Sequence, residues 1–207
     1  MGQLDDSMDT LSSHAEDQGG YDFIVIDPPW PNKSAHRSKN YDTLDIYALF
    51  DIPMAKLLSS DALVAVWVTN RPKYKQFLID KLFPSWNLEL VGEWYWMKMT
   101  TMGQPVMPLD STHRKPYELL LVARSKAGSS IIHVPEKLVF ASVASQHSRK
   151  PPLNDLFSLF DSNHPDRRCL ELFARCLAYN TTSWGNECLL FQHDSYFTKT
   201  SSAPDTP

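Results

Sequence analysis

Two unbroken apolar runs limit what this chain can fold into. Tyr21–Asp27 reads YDFIVID and Ala62–Thr69 reads ALVAVWVT. A strand with one wet face alternates apolar and polar residues. Runs rich in Val and Ile without that alternation belong to strands covered on both faces. Leu88–Met97 and Tyr117–Ala123 carry further strand patterns, and Leu138–Val143, Cys169–Phe173 and Cys188–Phe191 carry shorter ones. Helical spacing fills Ile52–Leu58, Lys73–Phe83 and Leu153–Phe160, with Pro151 and Pro152 where a helix start tolerates proline. This alternation predicts an α/β sheet, largely parallel.

A chain of 207 residues supports one substantial core. Residues 1–20 contain Asp5, Asp6, Asp9, Glu16 and Asp17, Ser-Ser and Gly-Gly pairs, and no Lys or Arg. They are expected to be a disordered polar leader, residues 198–207 a disordered tail, and 21–197 the folded domain. The net charge of -4 comes from that leader, because removing its five acids leaves 19 acidic against 20 basic residues. An anionic partner must then be held by local clusters and not by overall charge. No apolar run approaches the roughly 18 residues of a membrane span, so no membrane partner is expected. Cys169, Cys176 and Cys188 form no C-x-x-C pair and read as small buried hydrophobes, with no metal expected. The seven glycines build neither G-x-G-x-x-G nor a P-loop, which excludes the usual phosphate cradles.

Asp27-Pro28-Pro29-Trp30 follows the first buried strand directly. Ligands of open α/β sheets bind outside the carboxyl ends of the strands, so an acid there has a functional address. Two prolines remove two backbone donors and stiffen the turn. The Asp27 carboxylate and the Pro28 carbonyl are left as fixed acceptors, with the flat face of Trp30 beside them. Two acceptors and a stacking plane suit a planar base bearing an exocyclic amine. A strand-ending turn with a capping Asp and a core Trp explains the same four residues.

Asp27–Trp30 resembles the D-P-P-W motif of the MT-A family of adenine-N6 methyltransferases. The match runs from about Tyr21 to Phe197. It takes in Trp67-Val68-Thr69-Asn70, His113-Arg114-Lys115-Pro116-Tyr117-Glu118, Ser148-Arg149-Lys150-Pro151, Glu171-Leu172-Phe173-Ala174-Arg175 and Trp184-Gly185-Asn186-Glu187. The resemblance implies a Rossmann-like class I methyltransferase sheet in permuted order, with the catalytic strand early and the S-adenosylmethionine strand late. It implies S-adenosyl-L-methionine as cofactor. It implies catalytic roles for Asp27, Pro28, Pro29 and Trp30, and cofactor contacts from Asp27, Lys150, Phe173, Arg175, Asn186 and Glu187. Lys33, His36, Arg37 and Lys39 crowd the loop after the catalytic turn, which also holds Tyr41, and His113, Arg114 and Lys115 precede a strand. Both clusters are expected to meet nucleic-acid phosphates, with Glu118 anchoring the second.

The implied mechanism withdraws both amine protons of adenine into hydrogen bonds with Asp27 and Pro28, so that the freed lone pair attacks the sulfonium methyl in line. Pro31-Asn32-Lys33-Ser34, Pro84-Ser85-Trp86 and Phe191-Gln192-His193 resemble one branch of the family. That branch is associated with an internal 2′-O-methyladenosine of U2 small nuclear RNA, and also with DNA adenine, single-stranded or flipped. A nuclear monomer is expected with it. The competing reading is a catalytically inactive short form, or a nucleic-acid-binding partner subunit on the same fold. In the family's fold a strand ahead of the catalytic one supplies an acidic contact to the cofactor, and residues 1–20 contain no apolar strand.

Overall fold

The computed structural model describes residues 2–31, 45–111, 114–129, 132–144, 149–160, 167–189 and 192–197, with side chains from Ser7 onward. Helix α1 (Gly2–Asp17) leads into β1 (Tyr21–Ile26). A 3-10 helix (Ile46–Asp51) and α2 (Met54–Leu57) precede β2 (Leu58–Val68). Then α3 (Pro72–Phe77) runs through a π-helical turn (Leu78–Leu82) into α4 (Phe83–Ser85). Strands β3 (Leu88–Met99), β4 (Tyr117–Ser125) and β5 (Lys137–Val143) follow, then α5 (Asn154–Ser158), β6 (Cys169–Leu172) and β7 (Thr181–Trp184).

The seven strands form one sheet in the order β5-β3-β4-β2-β1-β6-β7. The pairs β1–β2, β1–β6, β6–β7 and β3–β5 are parallel, and β4 runs against both of its neighbours. β1 lies inside the sheet, and its apolar residues divide between two cores, as an unbroken apolar run requires. Ile24 and Ile26 pack with Leu57, Val66, Tyr74 and Leu78 on one face, and Phe23 and Val25 pack with Trp67, Trp94 and Phe157 on the other. No described helix is long and apolar enough to cross a membrane.

The amino-terminal segment departs from expectation. Residues 2–17 are helical, where a disordered leader was expected. Leu11 and Ala15, four apart and therefore on one helix face, are buried in the first core, and Met8 packs against it. The acids solvate the opposite side. Gly20 ends the segment at φ 85°, its N–H donating to the Ala15 carbonyl at 2.7 Å. A Cβ there would meet the Ser59 nitrogen at 2.5 Å, so only glycine fits this junction. No strand precedes β1 among the described residues.

Two further differences lie at the carboxyl end. Cys188 and Leu189 are in a turn where a strand was expected, and Leu190 and Phe191 lie outside the described residues. The last strand is instead β7, whose sequence TTSW is polar and half-buried and carries no apolar signal. β6 is tied back to β1 at its start, where the Arg168 guanidinium grips Asp22 through Nη2–Oδ1 at 2.7 Å and Nε–Oδ2 at 2.9 Å. This two-pronged pair holds the Asp22 carboxyl below the usual range, although burial opposes it.

Candidate active site

Asp27 leaves the carboxyl end of β1 with its N–H donating to the Leu172 carbonyl at 3.3 Å. The acid therefore stands at the junction of β1 and β6, only 7% exposed. The following turn is stapled to its neighbours. The Trp30 N–H donates to the Pro28 carbonyl at 2.8 Å, and the Trp30 indole donates to the Trp67 carbonyl at 2.8 Å. Tyr74 and Arg71 of the next connection both donate to the Pro31 carbonyl, at 2.8 and 3.2 Å. The Trp30 ring, expected to offer an open stacking face, is 8% exposed and packs on Tyr74 at 4.9 Å. It fixes the turn from beneath, and the half-buried Pro29 presents more surface than it does. The Pro28 carbonyl has one lone pair committed to Trp30 and one to offer.

Four charges alternate across the sheet edge. Asp27 Oδ2 meets Lys150 Nζ at 3.1 Å, Lys150 meets Glu118 Oε2 at 3.0 Å, and the other Glu118 oxygen pairs with Lys98. Each lysine also faces an indole, Lys150 that of Trp67 at 5.5 Å and Lys98 that of Trp96 at 5.0 Å. Glu118, expected to anchor the loop before it, anchors these two lysines. Burial pushes the Asp27 carboxyl up, against the opposing pull of Lys150 and Arg175. Burial would depress Lys150, but the Asp27 and Glu118 carboxylates outweigh it and hold its ammonium protonated. Burial raises Glu118 as well, yet Lys150 and Lys98 bring it below the usual range.

Beside Asp27 opens a cleft of about 320 Å³. Asp27, Lys150, Phe173 and Arg175 line it, so four of the six residues expected to meet a cofactor share one cavity. The Phe173 backbone turns sharply out of β6 at φ 61°, and its ring stands edge-on to Trp184. Gly185 lets β7 pass this corner, since a Cβ there would lie 2.5 Å from the Ala174 carbonyl oxygen. Asn186 and Glu187 sit in the exposed turn that follows and are not among the cleft's walls. Arg114 and Lys115 are exposed, and the Lys115 ammonium donates to the Ser111 carbonyl at 2.8 Å. Lys33, His36, Arg37, Lys39, Tyr41 and His113 lie outside the described residues.

Sequence reasoning missed Glu171 as a wall of this cleft. It pairs in register with Val25, one strand over and two residues short of Asp27. Burial and the neighbouring Asp27 charge push its carboxyl up to about 7, and Lys150 only partly opposes them. A charged residue inside a strand otherwise reading Cys-Leu-Leu was the available signal, because such a group is rarely placed without purpose.

A seven-stranded mixed sheet with an acid-bearing turn and a cleft at the carboxyl ends of its central strands is a Rossmann-like methyltransferase architecture. The MT-A70 family model matches residues 21–187, and the chain belongs to that family. It is 45% identical over 187 residues to the N(6)-adenine-specific methyltransferase METTL4 of Mus musculus, covering 86% of this chain and 39% of that protein. It is 45% identical over 186 residues to the N6-methyladenosine RNA methyltransferase MTA1 of Pyricularia oryzae, covering 84% and 49%. With the DNA N6-methyl methyltransferase of Caenorhabditis elegans the identity is 40% over 182 residues, covering 86% and 48%. The chain thus spans from about two fifths to half the length of these relatives.

Proposed function

We propose that this chain is the catalytic domain of an S-adenosylmethionine-dependent adenine-N6 methyltransferase acting on nucleic acid. The observation that carries the reading is the buried Asp27, held by Lys150 where the turn of β1 meets a cleft of cofactor size. The relatives' names supply the chemistry, since one is named for RNA and another for DNA. The cleft suits S-adenosyl-L-methionine in the kinds of group it offers. Lys150 and Arg175 are cations for a carboxylate and for hydroxyl acceptors, Phe173 is an apolar wall, and Glu171 is an acid for a cationic group. Asn186 and Glu187 stand on the adjoining turn and would close over the ribose.

When bound, this cofactor supplies an electrophilic methyl group. The rest falls to residues of the chain. Asp27 and the open lone pair of Pro28 accept the two protons of the adenine amine, which frees the nitrogen lone pair. As the nitrogen becomes cationic its bond to Asp27 strengthens, so the contribution belongs to the transition state. Asp27 is also where the released proton is first received, its carboxyl raised by burial towards that role. Stapling of the turn through Trp30, Tyr74 and Arg71 keeps these acceptors from reorganising.

For the substrate we favour RNA, and within it the 2′-O-methyladenosine of U2 small nuclear RNA, in a nuclear monomer, with DNA adenine second. The test is transfer of labelled methyl to an RNA oligonucleotide carrying 2′-O-methyladenosine, beside the plain RNA and single-stranded DNA of equal sequence. Asp27→Asn should cost the rate a factor on the order of 10², as loss of one preorganised electrostatic partner does, with cofactor still bound in calorimetry. Activity that survives the substitution overturns the mechanism. A folded chain that binds cofactor and oligonucleotide but transfers no methyl supports the non-catalytic binding subunit instead.

A further inference from the structure

A second cavity, of about 240 Å³, lies behind the first. Trp96, Ser142 and Val143, at the carboxyl ends of β3 and β5, form one side. Lys150, Pro151 and Pro152 form the other, and these three also wall the first cleft. The two cavities therefore share a partition one strap of chain thick. On its cleft side the Lys150 ammonium touches Asp27, and Arg149 lines both cavities.

The chemistry of this second cavity is that of a nucleotide seat. Its floor is apolar and flat, from the Trp96 indole, Val143 and the two prolines. Ser142 Oγ accepts from the Trp96 indole at 2.8 Å and keeps its own proton to donate. The rim carries the cationic Arg149 and Lys150, the signs a phosphodiester needs. At about 240 Å³ it is below the roughly 300 Å³ at which pockets for whole small molecules begin, so it takes part of a ligand whose remainder lies elsewhere. A chain-like substrate with its reacting base at Asp27 has such a remainder.

We infer that this second cavity seats the nucleotide adjoining the target adenosine, its base against Pro151, Pro152 and Trp96 and its phosphate toward the cationic rim. The inference rests on the methyltransferase reading above and adds a determinant of sequence context to it. Val143 is 52% exposed, so it can be enlarged without disturbing the core. Val143→Trp fills the cavity, and Val143→Ala leaves it open.

The probes are a short RNA with one target adenosine and two copies abasic at the preceding or following position, followed by fluorescence anisotropy and by methyl transfer. The unmodified chain should lose about tenfold in affinity for one abasic copy and little for the other, as loss of one stacked base does. Val143→Ala should behave the same way. Val143→Trp should bind the intact RNA about as weakly as the unmodified chain binds the sensitive abasic copy. It should then be indifferent to the abasic change, with cofactor affinity by calorimetry unaltered. If Val143→Trp stays as sensitive to the abasic site as the unmodified chain while methyl is still transferred, the seat is wrong and the enzyme reading stands. If no RNA is bound or methylated by the unmodified chain, both fall together.

Discussion

Glu171 is the residue whose surroundings say most about pH. Its carboxyl sits at about 7, raised by burial and by the Asp27 charge, against an ordinary 4.5. The folded protein therefore holds a proton that the unfolded chain has released over the interval from about 4.5 to 7. Stability falls as pH climbs through that interval, by at most about 1.4 kcal/mol per unit from this group, and levels off above it. Glu171→Gln removes the titration. Melting temperatures at pH 5, 6, 7 and 8 should fall less steeply for the variant, which should be the more stable of the two at pH 8. Parallel curves would mean that Glu171 is already ionised throughout. Lys150 makes the opposite kind of statement, since two carboxylates hold its proton in place and leave it a fixed cation across the same range.

Among the elements, α1 is the one to test directly. Leu11 is 6% exposed within the first core. Leu11→Ala should cost about 2–4 kcal/mol of unfolding free energy in urea, the usual range for a buried leucine. A free leader would show no change. The strands with unbroken or strongly apolar patterns were legible in the sequence because burial on both faces leaves its mark residue by residue. That holds for β1, β2, β3 and β4. α1 and β7 were not legible. The buried Leu11 and Ala15 are too few to stand out among the acidic and hydroxyl residues around them, and TTSW is an edge strand set by its partner β6 and not by its own pattern. The site divides the same way. Asp27, Lys150, Phe173 and Arg175 were legible through motifs, whereas the burial of Trp30 and the pairing of Glu118 with lysines depend on strand order, which no local pattern encodes.

At the scale of the whole molecule the charge is -4, so RNA must be drawn by local positive ground and not by the chain at large. Replacing Lys33, Arg37 and Lys39 together by glutamine should reduce the slope of log affinity against log salt for single-stranded RNA by about two, near 0.7 for each phosphate no longer neutralised. An unchanged slope would remove that loop from the RNA-binding surface.

β1 and β6 are neighbours in space and strangers in sequence, with the Arg168–Asp22 pair joining residues 146 apart. A ribosome delivers Asp27 early and its partners Lys150, Glu171 and Arg175 long afterwards. Until then one flank of β1 has no strand to pair with, and the half-made sheet presents bare amides and carbonyls to whatever is near. Loop closure of this span must precede the contacts that reward it, which makes folding slow for a domain of this size. The catalytic acid therefore waits, chemically inert, until those later residues have emerged, and nascent chains of this protein have more need of chaperones than of stability.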